Sequence, residues 1–98
     1  MDDPKDIGKT HQRIIEECKR LARMLIEKNQ AYGNSATDPL RVFSRADPIE
    51  QLNVRIDDKL SRIYRGNGDT EDSELDLVGY LILKRVYRRM QDESNSTD

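Results

Sequence analysis

Between His11 and Ala31 apolar residues return every three or four positions, at Ile14, Ile15, Cys18, Leu21, Ala22, Leu25 and Ile26, which is the spacing of one helix face. Thr10 is placed to cap this first helix and Gly33 to end it, because glycine accepts the left-handed conformation that stops helices. Asn29 and Tyr32 continue the stripe, so polar groups arrive where packing residues are expected. A second helix has the strongest local signal in the chain. Asp47-Pro48-Ile49-Glu50 supplies a capping carboxylate, a proline at the first helical position and an acid three residues after the cap. Its stripe is Ile49, Leu52, Ile56, Leu60 and Ile63, and Gly66 with Gly68 breaks it. Asp38-Pro39 is a start of the same kind, predicting one turn through Leu40, Val42 and Phe43 that plugs one end of a bundle.

A third helix is expected to open at Asp69 or Thr70 and run to about Met90. Glu71, Asp72 and Glu74 sit in its first turn and Lys84, Arg85, Arg88 and Arg89 crowd its far end, so both clusters complement the helix dipole. Its middle, Leu75 to Leu83, is apolar on nearly all sides apart from Asp76 and Gly79. A helix that is apolar all round is buried all round, and a chain with two other long helices has little with which to cover a second face. The pattern therefore predicts an all-α, three-helix amphipathic bundle completed by oligomerisation through helix 3. Residues 10–91 form the single domain, between a flexible N-terminus at 1–9 and a disordered tail at 92–98.

Composition sharpens this picture. Of 98 residues, 35% are hydrophobic and 37% charged, with no Trp and one Phe, so the apolar material must lie on narrow stripes. A net charge of −2 with both signs interspersed argues against sequence-blind nucleic-acid binding. No run of about 18 apolar residues is present, and the acidic opening MDDPKDIG lacks the apolar core of a signal peptide. Cys18 is the only cysteine, which excludes an intramolecular disulfide. Together these predict a protein of a reducing cytoplasm with no membrane contact.

Candidate chemistry gathers in three places. On helix 3, Asp72 and Asp76 share a side with Gly79 and Leu83, so two carboxylates turn toward the core and require either a basic partner or a metal ion. A purely structural arrangement has Asp72 capping the helix and Asp76 paired with an Arg of helix 2. On helix 2, Arg55, Asp58, Lys59 and Arg62 lie along one flank, where they can reach an anion or form a solvated ladder of ion pairs. The end of helix 1, Glu27 to Ser35, offers Lys28, Asn29, Gln30, Tyr32, Asn34 and Ser35. These groups can stack on and hydrogen-bond a nucleobase, or simply end the helix. His11 is the only histidine, so a His-based metal site or Ser-His catalysis has little support. The run from Asp69 to Asp76 lacks the alternate-position ligands of an EF-hand, and no glycine-rich phosphate loop is present.

Three segments taken together carry a family resemblance: Lys28-Asn29-Gln30-Ala31-Tyr32-Gly33, then Arg55-Ile56-Asp57-Asp58-Lys59-Leu60-Ser61-Arg62, then Glu71-Asp72-Ser73-Glu74-Leu75-Asp76-Leu77-Val78-Gly79-Tyr80. The chain resembles the small phage and bacterial proteins called nucleotide modification associated domain 1, which look like relatives of the MazG-like, all-α NTP pyrophosphatase superfamily. That resemblance implies a helical dimer or tetramer that uses Mg²⁺ to hydrolyse a nucleoside triphosphate to the monophosphate and pyrophosphate. Asp72 and Asp76 fall on the first and last acidic places of the superfamily's E-E-x-x-D motif, with Ser73 in the second place. Helix 2 shows Glu50 to Asn53 and then Asp57-Asp58 in place of an intact E-x-x-E. By this reading Asp58, Asp72 and Asp76 hold Mg²⁺, Asp58, Lys59 and Asp76 are catalytic, and Lys28, Asn29, Tyr32, Asn34, Arg55, Arg62 and Tyr80 bind the nucleotide. Because the acidic set is incomplete, two other functions stand beside hydrolysis. One is a nucleotide binder without turnover, such as a phage protein that sequesters a nucleotide signal, and the other is a plain helical oligomerisation module.

Overall fold

A computed structural model describes residues 6–37, 46–66 and 72–96, and every described element is helical. The order is α1 (Ile7–Tyr32), α2 (Pro48–Arg65) and α3 (Ser73–Ser96). The all-α expectation holds. The turn expected from Asp38-Pro39 through Leu40, Val42 and Phe43, and the start of helix 3 at Asp69, Thr70 and Glu71, lie outside the described residues.

α2 begins where its sequence says it must. Asp47, in an extended conformation, accepts a bond from the Glu50 amide at 2.8 Å, Pro48 occupies the first turn, and Gly66 ends the helix in the left-handed region at φ 63°. The end of α1 is equally local. Gly33 and Asn34 adopt left-handed conformations at φ 59° and 64°, and their amides both turn back to the Asn29 carbonyl.

Two helix boundaries differ from expectation. α1 starts at Ile7, and Asp6 holds the cap position without a side-chain bond, so Thr10 lies inside the helix. Nothing in Ile7-Gly8-Lys9 breaks a helix strongly enough to delay its start. At the other end α3 continues past Met90 to Ser96, because Gln91 and Glu93 favour helix and neither Gly nor Pro interrupts the run. Residues 7–9 and 92–96 are therefore helical.

Only seven residues separate α2 from α3, a connection short enough to make them packed neighbours. Their seam is built from Pro48, Leu52, Ile56 and Lys59 of α2, four steps apart and then three, against the face of α3 that carries Gly79. Leu52 is 1% exposed and is the best-buried side chain. The expected stripe is thus rotated by one position at its end. Lys59 enters the seam, and Leu60 and Ile63 are left exposed.

α1 is different. Its backbone meets α3 only toward its C-terminal end and nowhere closely approaches α2, and no residue of the helix is buried. The radius of gyration is 16.8 Å, against roughly 13 Å for a close-packed domain of this length. Within one chain, then, the bundle is not closed. No described helix is long and apolar enough to cross a membrane.

Candidate functional site

The site forms where α1 crosses α3, and a glycine sets the distance. Gly79 is buried, and a Cβ built on it would stand 3.0 Å from Leu25 Cδ2 and 3.4 Å from Met24 Cε. A side chain at this position would press on the ends of Leu25 and Met24, so glycine lets α1 lie against α3 here without displacing them. At this crossing a pocket of about 370 Å³ opens with Met24, Leu25 and Leu83 as apolar lining.

Chemistry-bearing side chains enter that pocket from all three helices. Lys28, Asn29 and Tyr32 come from α1, Arg55 from α2, and Asp76 and Tyr80 from α3. Five of the seven positions expected to contact a nucleotide therefore line one pocket. Asn34 and Arg62 lie outside the lining. Asn34 is occupied in holding the end of α1, where its Oδ1 accepts from Asn29 Nδ2 at 2.6 Å. Arg62 Nε meets Asp58 Oδ2 at 3.2 Å, one helical turn back along the exposed side of α2.

Asp76 has the most constrained charge in the site. Its Oδ2 pairs with Lys59 Nζ at 3.2 Å, and its Oδ1 accepts from Lys28 Nζ at 3.3 Å. The side chains of Asp76 and Lys59 are only 16% and 10% exposed, whereas that of Lys28 is 55% exposed. A buried ammonium is costly unless a counter-charge meets it, and Asp76 is such a counter-charge, reaching across the seam from α3. The partner anticipated for Asp76 was an Arg of helix 2. Lysines fill the role because the register of α2 on α3 brings Lys59, rather than Arg55 or Arg62, opposite the carboxylate.

The three carboxylates expected to share a Mg²⁺ ion have separate partners. Asp72 caps α3, its Oδ1 accepting the Leu75 amide at 3.0 Å. Asp58 is paired with Arg62, and Asp76 with the two lysines. Among the described residues no three His, Cys, Asp or Glu side chains come together. Mg²⁺ demands a close oxygen shell, usually including carboxylates, and among the described residues the pocket lining has one carboxylate, Asp76, which is paired with the buried Lys59. The donor set of the described residues does not fit the ion.

Sequence reasoning placed Gly79 and Leu83 on the Asp76 side of α3 but missed Met24 and Ala36 as lining and the crossing of α1 at Gly79. A signal for the crossing did exist, since a glycine inside an otherwise apolar helix usually has a packing reason, here the side chains of Leu25 and Met24. No known family model matches the chain, and no characterised protein or solved structure does either.

Proposed function

We propose that the protein binds a nucleotide in the pocket at the α1–α3 crossing and holds it without turnover. The observation that carries this reading is the convergence of Lys28, Asn29, Tyr32, Arg55 and Tyr80, from three separate helices, on one cavity. Its volume of about 370 Å³ is at the small end of ligand sites, which span roughly 300–1,000 Å³. Lys28 and Arg55 suit phosphate oxygens, the Tyr32 and Tyr80 rings suit the face of a base, and the Asn29 Oδ1, whose Nδ2 is held by Asn34, suits a donor on its edge. Binding is favoured over the hydrolysis suggested by the family resemblance because Asp76 is committed to the buried Lys59, while Asp58 and Asp72 are outside the pocket lining.

Self-association belongs to the same reading. Ile14 and Ile15 of α1 are 55% and 53% exposed, and Leu81, Val86 and Met90 of α3 are 44%, 42% and 49% exposed, so both helices keep apolar side chains that the single chain leaves uncovered. A second copy of the chain is the occupant that would cover them. Such a protein, acting in a reducing cytoplasm, would draw a nucleotide out of circulation, as a phage protein does when it sequesters a nucleotide signal.

The test runs calorimetry and pyrophosphate release side by side on a panel of ribonucleotides and deoxynucleotides, canonical and modified. The expected outcome is saturable binding, weakened by Tyr80→Ala, with no pyrophosphate formed. Turnover that depends on Mg²⁺ would restore the pyrophosphohydrolase reading, and neither binding nor turnover would leave an oligomerisation module.

A further inference from the structure

The charges around the pocket do not cancel. Asp76 lines it, and Lys59, buried behind, meets that carboxylate at 3.2 Å, so this pair is balanced across the seam. Two cations then remain on the lining, Lys28 from α1 and Arg55 from α2. The Lys28 contact with Asp76 is 3.3 Å, longer than the roughly 2.7–2.9 Å of a strong charge-assisted bond, and its side chain is half exposed. With its ammonium half in solvent, Lys28 is screened and leaves Asp76 more readily than the buried Lys59 does. Arg55 is exposed and makes no ion pair among the described residues. Both cations are therefore available to an anion, and they stand beside two aromatic rings.

Resting on the nucleotide reading above, we infer that the pocket takes its ligand as a metal-free dianion. Lys28 and Arg55 supply the charge that a divalent ion supplies in metal-dependent sites, and Asp76 is a positioning residue that holds Lys59 and aims Lys28. A charge of about minus two is that of one phosphate monoester near neutral pH, and two singly charged phosphodiesters present the same total. A Mg²⁺ ion on those phosphates would neutralise the charge the pocket is built to meet, and would stand against Lys28, Arg55 and Lys59.

The experiment is calorimetry on the full chain with adenosine and guanosine 5′-monophosphates and triphosphates and a cyclic dinucleotide, first in EDTA and then in excess Mg²⁺. Saturable binding in EDTA that Mg²⁺ leaves unchanged or weakens is the expected result, and the member of the panel that binds separates the monoester from the diester source. Lys28→Met and Arg55→Met should each weaken it about tenfold or more, the loss of one charge-assisted contact, with helicity unchanged because both side chains are exposed. Asp76→Asn should weaken binding only a few-fold and to the same extent in EDTA and in Mg²⁺, because it loosens Lys28, whereas loss of a metal ligand would weaken binding in Mg²⁺ alone. If that variant unfolds because Lys59 loses its counter-charge, the two exposed substitutions still decide the matter. Binding that requires Mg²⁺ overturns the inference and leaves the nucleotide pocket standing. Binding indifferent to both substitutions, or no binding by any member of the panel, overturns both.

Discussion

α2 and α1 carry apolar stripes of similar regularity, and they end in opposite circumstances. Leu52 of α2 is 1% exposed against α3, whereas Ile14 of α1 is 55% exposed and no residue of α1 is buried at all. The stripe of a helix specifies that a face exists and leaves open what covers it. For α2 the short connection to α3 decides the matter, because its neighbour in sequence is its neighbour in space. For α1 nothing local decides, and only its last turns reach the hairpin. The candidate site lies at the boundary between these two regimes. Its floor belongs to the packed pair, and one of its walls belongs to the helix that is free of it.

The largest break in this contrast comes from the packed side. Leu52→Ala should cost about 2–5 kcal/mol, since it opens a cavity in the best-buried part of the seam. That is a large share of the stability of a small domain, so urea unfolding followed by circular dichroism should show a partly unfolded protein at room temperature. If the midpoint barely moves, the α2–α3 seam is not what holds the fold.

The exposed side should respond in association rather than in folding. Leu81 of α3 is 44% exposed and Ile15 of α1 is 53% exposed. Placing an Asp at either position should shift sedimentation at micromolar concentration toward the monomer, each losing the roughly 1.5–3 kcal/mol that burial of such a side chain supplies. Helicity should persist. A wild-type protein that is monomeric and well folded would remove the argument for a covering copy.

At the boundary, Gly79→Leu would drive a side chain into Leu25 and Met24, which already stand within 3.4 Å of where its Cβ must go. Relief requires α1 to lift away, at a cost of about 1–3 kcal/mol in an overpacked contact. Nucleotide binding should weaken more than melting temperature falls, because the move displaces Lys28, Asn29 and Tyr32 together. Equal affinity in the variant would mean that the α1 wall is dispensable.

A smaller effect belongs to the start of α2. Asp47→Ala removes the bond to the Glu50 amide and should cost about 1 kcal/mol, whereas Asp47→Asn, which keeps an acceptor, should restore most of it. Thermal melts of the two variants separate a cap from a mere negative charge.

What could be read from the chain alone divides by range. The α2 cap, the glycine stops and the capping role of Asp72 were legible because each closes a hydrogen bond within a few residues. The residue types around the pocket were legible for the same reason, as Lys28, Asn29 and Tyr32 share one helix end. The choice of Lys59 as partner for Asp76 was not, because it depends on the register of two helices and a shift of one residue turns a side chain by about 100°. The same rotation hid the exposure of Leu60 and Ile63. The early start of α1 and the late end of α3 escaped because neither boundary has a strong local stop. Self-association of helix 3 stays a proposal, although Val78, Leu81 and Ile82 are indeed exposed.

The smallest expected effect contrasts two ion pairs whose α2 members are adjacent in sequence. Asp58 and Arg62 pair at 3.2 Å with side chains 57% and 40% exposed, and Lys59 and Asp76 pair at the same distance with 10% and 16% exposed. The first is a helix-surface pair with the acid four residues before the base, the favourable order, and is worth about 0.3–0.5 kcal/mol. A double-mutant cycle on Asp58 and Arg62 should therefore give a coupling of that size in low salt, shrinking toward zero as salt screens it. The same cycle on Lys59 and Asp76 should give a much larger coupling that salt hardly touches, because breaking a buried pair leaves an uncompensated charge. Asp58→Ala should leave nucleotide affinity unchanged, with or without Mg²⁺. If instead that variant loses affinity only in the presence of Mg²⁺, Asp58 is a metal ligand in the assembled protein, and its pairing with Arg62 is an arrangement that the ligand replaces.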